Sequence, residues 1–281
     1  MTTEKVAVVT GANKGIGYEV VKGLCTKFKG VVYLTARNTT KGLEAVKKLK
    51  AEGLDPKFHQ LDITDQSSID ALKEHIKSAH GGLDLLVNNA AICYLKTATE
   101  SFGEQAENTL KVNYFGTLKL CEALFPLLRD NSRVVNISSS AGHLARIPTE
   151  RRRKEIGDAT LTIEGLNNIA NKFIQYAQEN KNVEEGWGSS SYVFSKVAVT
   201  ALTFIQQRIF DGESPNRNIA VNAVHPGYVD TDINGHHGPL TTAEGARAPL
   251  FAALEADFKG KYVWSDLTVL DWYSTTAPKN I

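Results

Sequence analysis

The chain has 281 residues, 42% of them hydrophobic and 22% charged, ordinary globular usage that excludes disordered and fibrous classes. Thirty-two basic against 31 acidic side chains leave a formal charge of +1, so the balance does not call for nucleic acid or another polyanion as partner. No apolar run approaches the ~20 residues of a membrane span. Met1-Thr2-Thr3-Glu4-Lys5 leads straight into a strand-like segment without a secretory leader, so a cytoplasmic setting is expected. Cys25, Cys93 and Cys121 are odd in number and fit neither a disulfide framework nor a zinc site. Of seven histidines only His236 and His237 adjoin, so no metal is expected.

In chain order, the first apolar run is Val6-Ala7-Val8-Val9, followed at once by Thr10-Gly11-Ala12-Asn13-Lys14-Gly15-Ile16-Gly17 at the start of a helical segment. Glycines there allow close backbone approach to a pyrophosphate, and a helix N-terminus supplies free N–H groups and a positive dipole end. Alone, such a loop is also an ordinary glycine-rich strand-to-helix turn. The second run, Val31-Val32-Tyr33-Leu34, ends in Thr35-Ala36-Arg37-Asn38. A site selective for NAD usually carries a carboxylate about 20 positions past the glycines. Here that place holds Arg37, whose guanidinium is suited to a ribose 2′-phosphate, and Lys14 adds a second cation.

Further strands are expected at Phe58-His59-Gln60-Leu61, Leu83-Asp84-Leu85-Leu86-Val87 and Val134-Val135-Asn136-Ile137, with helical segments at 40–50 and 66–79. Strands nearly continuous in apolar residues, alternating with helices, indicate a parallel sheet covered on both faces. We therefore expect an α/β fold, one Rossmann-type domain over residues 1–281 with a doubly wound parallel sheet of about seven strands. A stretch of about 141–187 interrupts the rhythm. It holds the basic run Arg151-Arg152-Arg153-Lys154, read as a solvated face rather than a nucleic-acid patch. A helix is expected at about 160–180, with Leu166, Ile169, Phe173 and Ala177 on one face.

Next come Tyr192-Val193-Phe194-Ser195-Lys196 at the head of another helix, where i to i+4 spacing puts Tyr192 and Lys196 on one face. A nearby ammonium favours phenolate, which would lower the phenol from its ordinary value near 10 and suit it to give a proton to a carbonyl oxygen. A sixth strand is expected at 219–224 and a seventh at 261–264, with a surface loop at 235–242 between them.

Taken together these motifs resemble the short-chain dehydrogenase/reductase family. The match comprises the glycine loop, Asn88-Asn89-Ala90-Ala91 after the fourth strand, Lys111-Val112-Asn113-Tyr114-Phe115-Gly116, Asn136-Ile137-Ser138-Ser139, Tyr192 with Lys196, and Pro226-Gly227-Tyr228-Val229-Asp230-Thr231. Ala91 stands where the family usually has glycine. Within the family the chain is most similar to the monomeric carbonyl reductases, which also have Asn-Lys in the glycine loop, Thr-Ala-Arg after the second strand and an insertion before the tyrosine. Ser139 and Tyr192 are 53 positions apart here.

The resemblance implies reduction of carbonyl compounds with NADP(H) as cofactor, in a monomer whose insertion covers the helix face that oligomeric members pair. It implies Tyr192 as general acid and Ser139 as donor to the substrate oxygen. Lys196 would hold the nicotinamide ribose and depress the tyrosine, and Asn113 would anchor a water linking Lys196 to solvent. Cofactor contacts would come from Gly11, Asn13, Lys14, Gly15, Ile16, Gly17 and Arg37, from Asp62 and Ile63 beside adenine, and from Asn89 beside the adjacent ribose. Val229 and Thr231 would hold the carboxamide. Tyr94, Trp187, Phe194 and Tyr228 form an aromatic substrate pocket or are core. Some relatives bind glutathione conjugates through a Phe-Lys-Val segment where this chain has Tyr94-Leu95-Lys96, and Cys93 beside it is a modifiable or an inert thiol. A dedicated hydroxysteroid or lipid-alcohol dehydrogenase, or a non-catalytic NADP(H)-binding regulator, would use the same scaffold.

Overall fold

Strands that are apolar at consecutive positions need helices on both faces, and the architecture follows from that need. The computed structural model describes residues 4–95 and 97–278. Among these, β1 (Lys5–Val9), β2 (Gly30–Ala36), β3 (Lys57–Gln60), β4 (Leu83–Asn88), β5 (Leu128–Ile137), β6 (Ala220–Val224), β7 (Tyr262–Val263) and β8 (Val269–Leu270) form one sheet in the order β3-β2-β1-β4-β5-β6-β7-β8. All neighbours are parallel except β7 and β8. The doubly wound parallel sheet is as expected, with eight strands instead of about seven. The eighth is a two-residue antiparallel edge, too short to carry a hydrophobic period.

Helices α1 (Gly15–Lys27), α2 (Thr39–Ala51), α3 (Gln66–His80), α4 (Phe102–Leu110) and α5 (Thr117–Leu124) alternate with the first five strands. Local chemistry starts and stops them. Asn38 caps α2 and Asp65 caps α3 through side-chain oxygens, Ser101 and Glu104 form a reciprocal capping box on α4, and Gly81 ends α3 in a left-handed turn at φ 70°. Val9, Leu34 and Val87 bury against Val20 and Leu24 on one face of the sheet, and Val8 and Leu86 against Ile69, Leu72 and Leu124 on the other. Each such side chain contributes roughly 1.5–3 kcal/mol of burial.

The insertion supplies a third apolar cluster. It contains α6 (Glu150–Ile156) and α7 (Ile163–Gln178) and leads into α8 (Ser191–Asp211). Leu166, Ile169, Phe173 and Ala177 are all buried, facing α4 and α8, while Glu164, Asn168, Asn171, Lys172, Gln175 and Gln178 face solvent. Phe173 stacks flat on Phe194 of α8, with ring centroids 3.9 Å apart, and Trp187 meets both rings edge-on.

One open alternative is resolved here and one expectation corrected. Trp187 (2% exposed) and Phe194 (0%) are core, because α7 lies over the face of α8 that carries Phe194, and Trp187, in the turn before α8, packs edge-on against Phe173 and Phe194; neither lines the cavity described below. The basic run is only half a solvated face. Arg151 and Lys154 are exposed, but the Arg152 guanidinium lies 4.6 Å over the Trp187 ring and is paired with Glu155 and Glu185. Arg153 donates to the carbonyls of Ile147 and Pro148. These two arginines tie the insertion together, a task for which five fixed N–H donors suit arginine. After β6, α9 (Thr242–Gly245) and α10 (Arg247–Leu254) return the chain to β7.

Candidate active site

In a doubly wound sheet the cleft opens at the carboxyl ends of the strands where the winding reverses, here between β1 and β4. A cavity of about 560 Å³ lies there. The glycine loop forms one wall. Gly11 and Gly15 have φ +60° and +61°; a Cβ on Gly11 would stand 2.9 Å from Ala90 Cα, and one on Gly17 only 2.4 Å from Asn89 Nδ2. The loop is stapled to the end of β4. Asn89 Nδ2 donates to the carbonyls of Thr10 and Gly11, and Thr10 Oγ1 accepts the N–H groups of Asn89 and Ala90. Thr10 was missed in the sequence, although its place directly before the first glycine is the signal that could have found it.

Gly11, Asn13, Lys14, Gly15 and Ile16 line this wall, and Arg37, Asp62, Ile63 and Asn89 continue it. Arg37 makes no ion pair among the described residues and is exposed to the cavity mouth. Lys14 is differently placed. It forms an ion pair with Asp232 of the loop after β6, bridging the cavity, and this pairing holds the Asp232 carboxyl below the usual carboxylate range. Asp62 Oδ1 accepts both the N–H and the hydroxyl of Thr64, which shapes the turn beyond β3. Gly17 lies behind the wall, where its missing Cβ makes room for the Asn89 amide. A backbone-lined cradle next to an arginine fits a dinucleotide with a charged group on its ribose.

At the inner end, Tyr192 and Lys196 both line the cavity from the first turns of α8, whose start is capped by Ser190. Lys196 is 3% exposed; its Nζ donates to the Ile137 carbonyl at 2.8 Å and lies 5.7 Å from the centre of the Tyr192 ring. Burial pushes the Lys196 ammonium down to about 8. Burial also pushes the Tyr192 phenol up to about 12, with its hydrogen bond to Ser139 pulling the other way. A neighbouring ammonium alone would depress the phenol. Desolvation outweighs that effect here, because it penalises phenolate and ammonium alike. Ser139 Oγ accepts the Ala141 N–H at 3.2 Å, and its hydroxyl is the partner of the Tyr192 phenol.

Asn113 lies in a π-helical turn, Lys111–Gly116, between α4 and α5, a wide turn of the kind found at functional positions. Its side chain makes three hydrogen bonds: Oδ1 accepts the Ile92 N–H, and Nδ2 donates to the Ile92 carbonyl and to Ser195 Oγ. The amide thus fixes the strip 91–93 along the cavity. Thr231 lines the cavity, whereas Val229 (3% exposed) packs its side chain inward beside Gly245. The strip Ala91, Ile92, Cys93 with Pro226 and Ile233 makes the inner end apolar.

Of the four aromatic residues weighed for a substrate pocket, Tyr94 and Tyr228 stay at the surface, Tyr228 with 45% exposure and Tyr94 with its hydroxyl accepting from Asn108 Nδ2. Lys96 lies outside the described residues. Burial pushes the Cys93 thiol up from its ordinary value, against the pull of Lys196, so it is held as a thiol.

The family profile described as short chain dehydrogenase matches residues 5–149. The chain is similar to carbonyl reductase (NADPH) 1 of Rattus norvegicus, 43% identical over 250 residues that span 89% of this chain and 90% of that protein. It is similar also to carbonyl reductase (NADPH) 1 of Bos taurus, at 42% identity over 95% and 98% of the two chains. Among solved structures, salutaridine reductase from Papaver somniferum superposes with a TM-score of 0.84 at 34% identity, covering 92% of this chain and 99% of that one.

Proposed function

The chain belongs to the short-chain dehydrogenase family, and on that premise we propose that it is an NADPH-dependent carbonyl reductase, acting on quinones, aldehydes and ketones, with Tyr192 as the proton donor. The observation that carries this reading is the joint position of Tyr192 and Lys196 on an apolar stretch of the cavity that also holds Arg37 and the glycine cradle, with Ser139 hydrogen-bonded to Tyr192 just behind its wall. Its relatives named as carbonyl reductases using NADPH support the same cofactor.

Arg37 would bind the 2′-phosphate, and Gly11, Gly15 and Ile16 would receive the pyrophosphate on backbone N–H groups. Bound NADPH would supply the hydride that adds to the carbonyl carbon. Tyr192 would give its phenolic proton to the carbonyl oxygen, completing the alcohol, while Ser139 donates a hydrogen bond to the same oxygen. Two donors aligned before reaction stabilise the growing alkoxide charge more than the neutral ketone. Lys196, held near 8, is suited to return a proton to Tyr192 at working pH. Asn113 would support that route by its backbone, since its amide is engaged with Ile92 and Ser195. Thr231 would contact the carboxamide through its side chain and Val229 through its backbone.

We further propose a cytoplasmic monomer. The polar outer face of α7 covers the apolar flank of α8, and Cys25, Cys93 and Cys121 are all free, in keeping with a reducing compartment. Among the described residues no helix is long and apolar enough to cross a membrane. The test follows NADPH and NADH oxidation by absorbance with a quinone, isatin, an aryl aldehyde and a ketosteroid. Turnover of quinone and isatin with NADPH is expected. Turnover confined to the steroid would replace this reading with a dedicated dehydrogenase, and tight NADPH binding without turnover would replace it with a regulator.

A further inference from the structure

Both edges of one peptide unit, the one joining Ser139 to Ser140, are held by side chains far away in sequence. Tyr262 of β7 donates its hydroxyl to the Ser139 carbonyl at 2.5 Å. His225, just past β6, accepts the Ser140 N–H on Nδ1 at 2.9 Å. Tyr262 is 0% exposed and His225 3%, so both side chains reach the peptide from the protein interior. Gly142 N–H takes up the remaining capacity of the Ser139 carbonyl at 2.8 Å. The plane is thereby satisfied in full and cannot rotate without leaving a buried polar group unpaired.

We propose that Tyr262 and His225 are positioning residues for the reduction, which clamp this peptide and so aim the Ser139 hydroxyl at the substrate oxygen; the proposal rests on the role given to Ser139 above. The linkage is short. Ser139 is extended, with φ −169° and ψ 165°, and begins a tight turn through Gly142. Its Oγ takes the Ala141 N–H, so the direction left for its own hydrogen depends on where Ala141 stands, one peptide beyond the clamp. A rocking peptide 139–140 carries that N–H with it and frees the hydroxyl to turn.

Both clamps stay in the required form over the working pH range. His225 must be neutral with Nδ1 bare; burial, with the charge of Arg146, pushes the ring down to about 4, and the Trp264 ring packs on it at 4.1 Å. Burial pushes the Tyr262 phenol up, so it remains a donor.

The experiment compares Tyr262→Phe, His225→Asn and His225→Gln with the wild type. The oxygen of asparagine can occupy the place of Nδ1, whereas that of glutamine reaches towards Nε2, and both lose the ring against Trp264 equally. Losing one oriented hydrogen bond predicts that Tyr262→Phe and His225→Gln lower kcat about tenfold, while His225→Asn stays within about threefold of wild type. NADPH affinity is expected to be unchanged in all three. In the cofactor-free protein, the Ser140 amide is expected to exchange faster in His225→Gln than in His225→Asn. Equal exchange in the two histidine variants would overturn the clamp, even if the wild type proved inactive and the reductase reading failed. Different exchange with equal kcat would overturn the positioning role. If Tyr262→Phe does not fold, the histidine pair decides.

Discussion

Lys196 should destabilise the protein that depends on it. It is buried with the Ile137 carbonyl as hydrogen-bond partner, and burial lowers it from an ordinary 10.5 to about 8. At pH 7 it is charged in the folded and unfolded states alike, so the difference is a folding cost of about 3 kcal/mol. The sign is that of a depressed folded value: the cost is complete below pH 8 and disappears as pH rises through 10.5. Lys196→Met keeps the stem and removes the charge, but leaves the Ile137 carbonyl without its partner at a cost of about 1–2 kcal/mol. Methionine should therefore stabilise the cofactor-free protein by about 1–2 kcal/mol at pH 7 while abolishing turnover, and the gain should shrink by about 2 kcal/mol towards pH 10. Urea unfolding at the two pH values measures both quantities. A variant less stable than wild type at pH 7, or a pH-independent difference, would show that the buried ammonium does not destabilise the fold.

Three other substitutions probe the cradle, the cofactor charge and the insertion. Gly17→Ala drives a methyl to 2.4 Å from Asn89 Nδ2 and should weaken NADPH binding at least tenfold, as read by fluorescence titration, through loss of the staple to Thr10 and Gly11 at about 1–3 kcal/mol. Arg37→Ala should raise the NADPH dissociation constant about ten- to hundredfold and leave that of NADH nearly unchanged, because only the 2′-phosphate bonds are lost. Phe173→Ala removes the ring stacked on Phe194 and should cost about 3–5 kcal/mol in urea unfolding. Sedimentation of the wild type should give a single species near 30.7 kDa.

The chemistry that lies close together in sequence is legible from the sequence alone. The glycine loop, Arg37 at the end of β2 and the Tyr192–Lys196 pair each fit within one strand-to-helix turn or one helical turn, where spacing alone fixes proximity. The apolar face of α7 was equally plain, because Leu166, Ile169, Phe173 and Ala177 keep helical period. What such spacing does not reveal is the other surface on which a residue is buried. Trp187 and Phe194 are aromatic near motif ends in either reading, and only the docking of α7 makes them core. Arg152 looked like its three basic neighbours until Trp187, Glu155 and Glu185 closed round it. The raised Tyr192 phenol depends on how deeply the surrounding protein encloses it, which no spacing reports. The bonds of Tyr262 and His225 to the serine turn span 123 and 85 positions, beyond the reach of any local pattern.

Whether Tyr192 gives the proton is decided by Tyr192→Phe, with NADPH binding and single-turnover reduction of a quinone measured on the same sample. The ring and its packing are kept and one hydroxyl is removed. The NADPH dissociation constant is expected to stay within about twofold and reduction to slow by about a hundred- to ten-thousandfold, the range of a general acid. Reduction at the wild-type rate with NADPH bound would contradict Tyr192 as the proton donor.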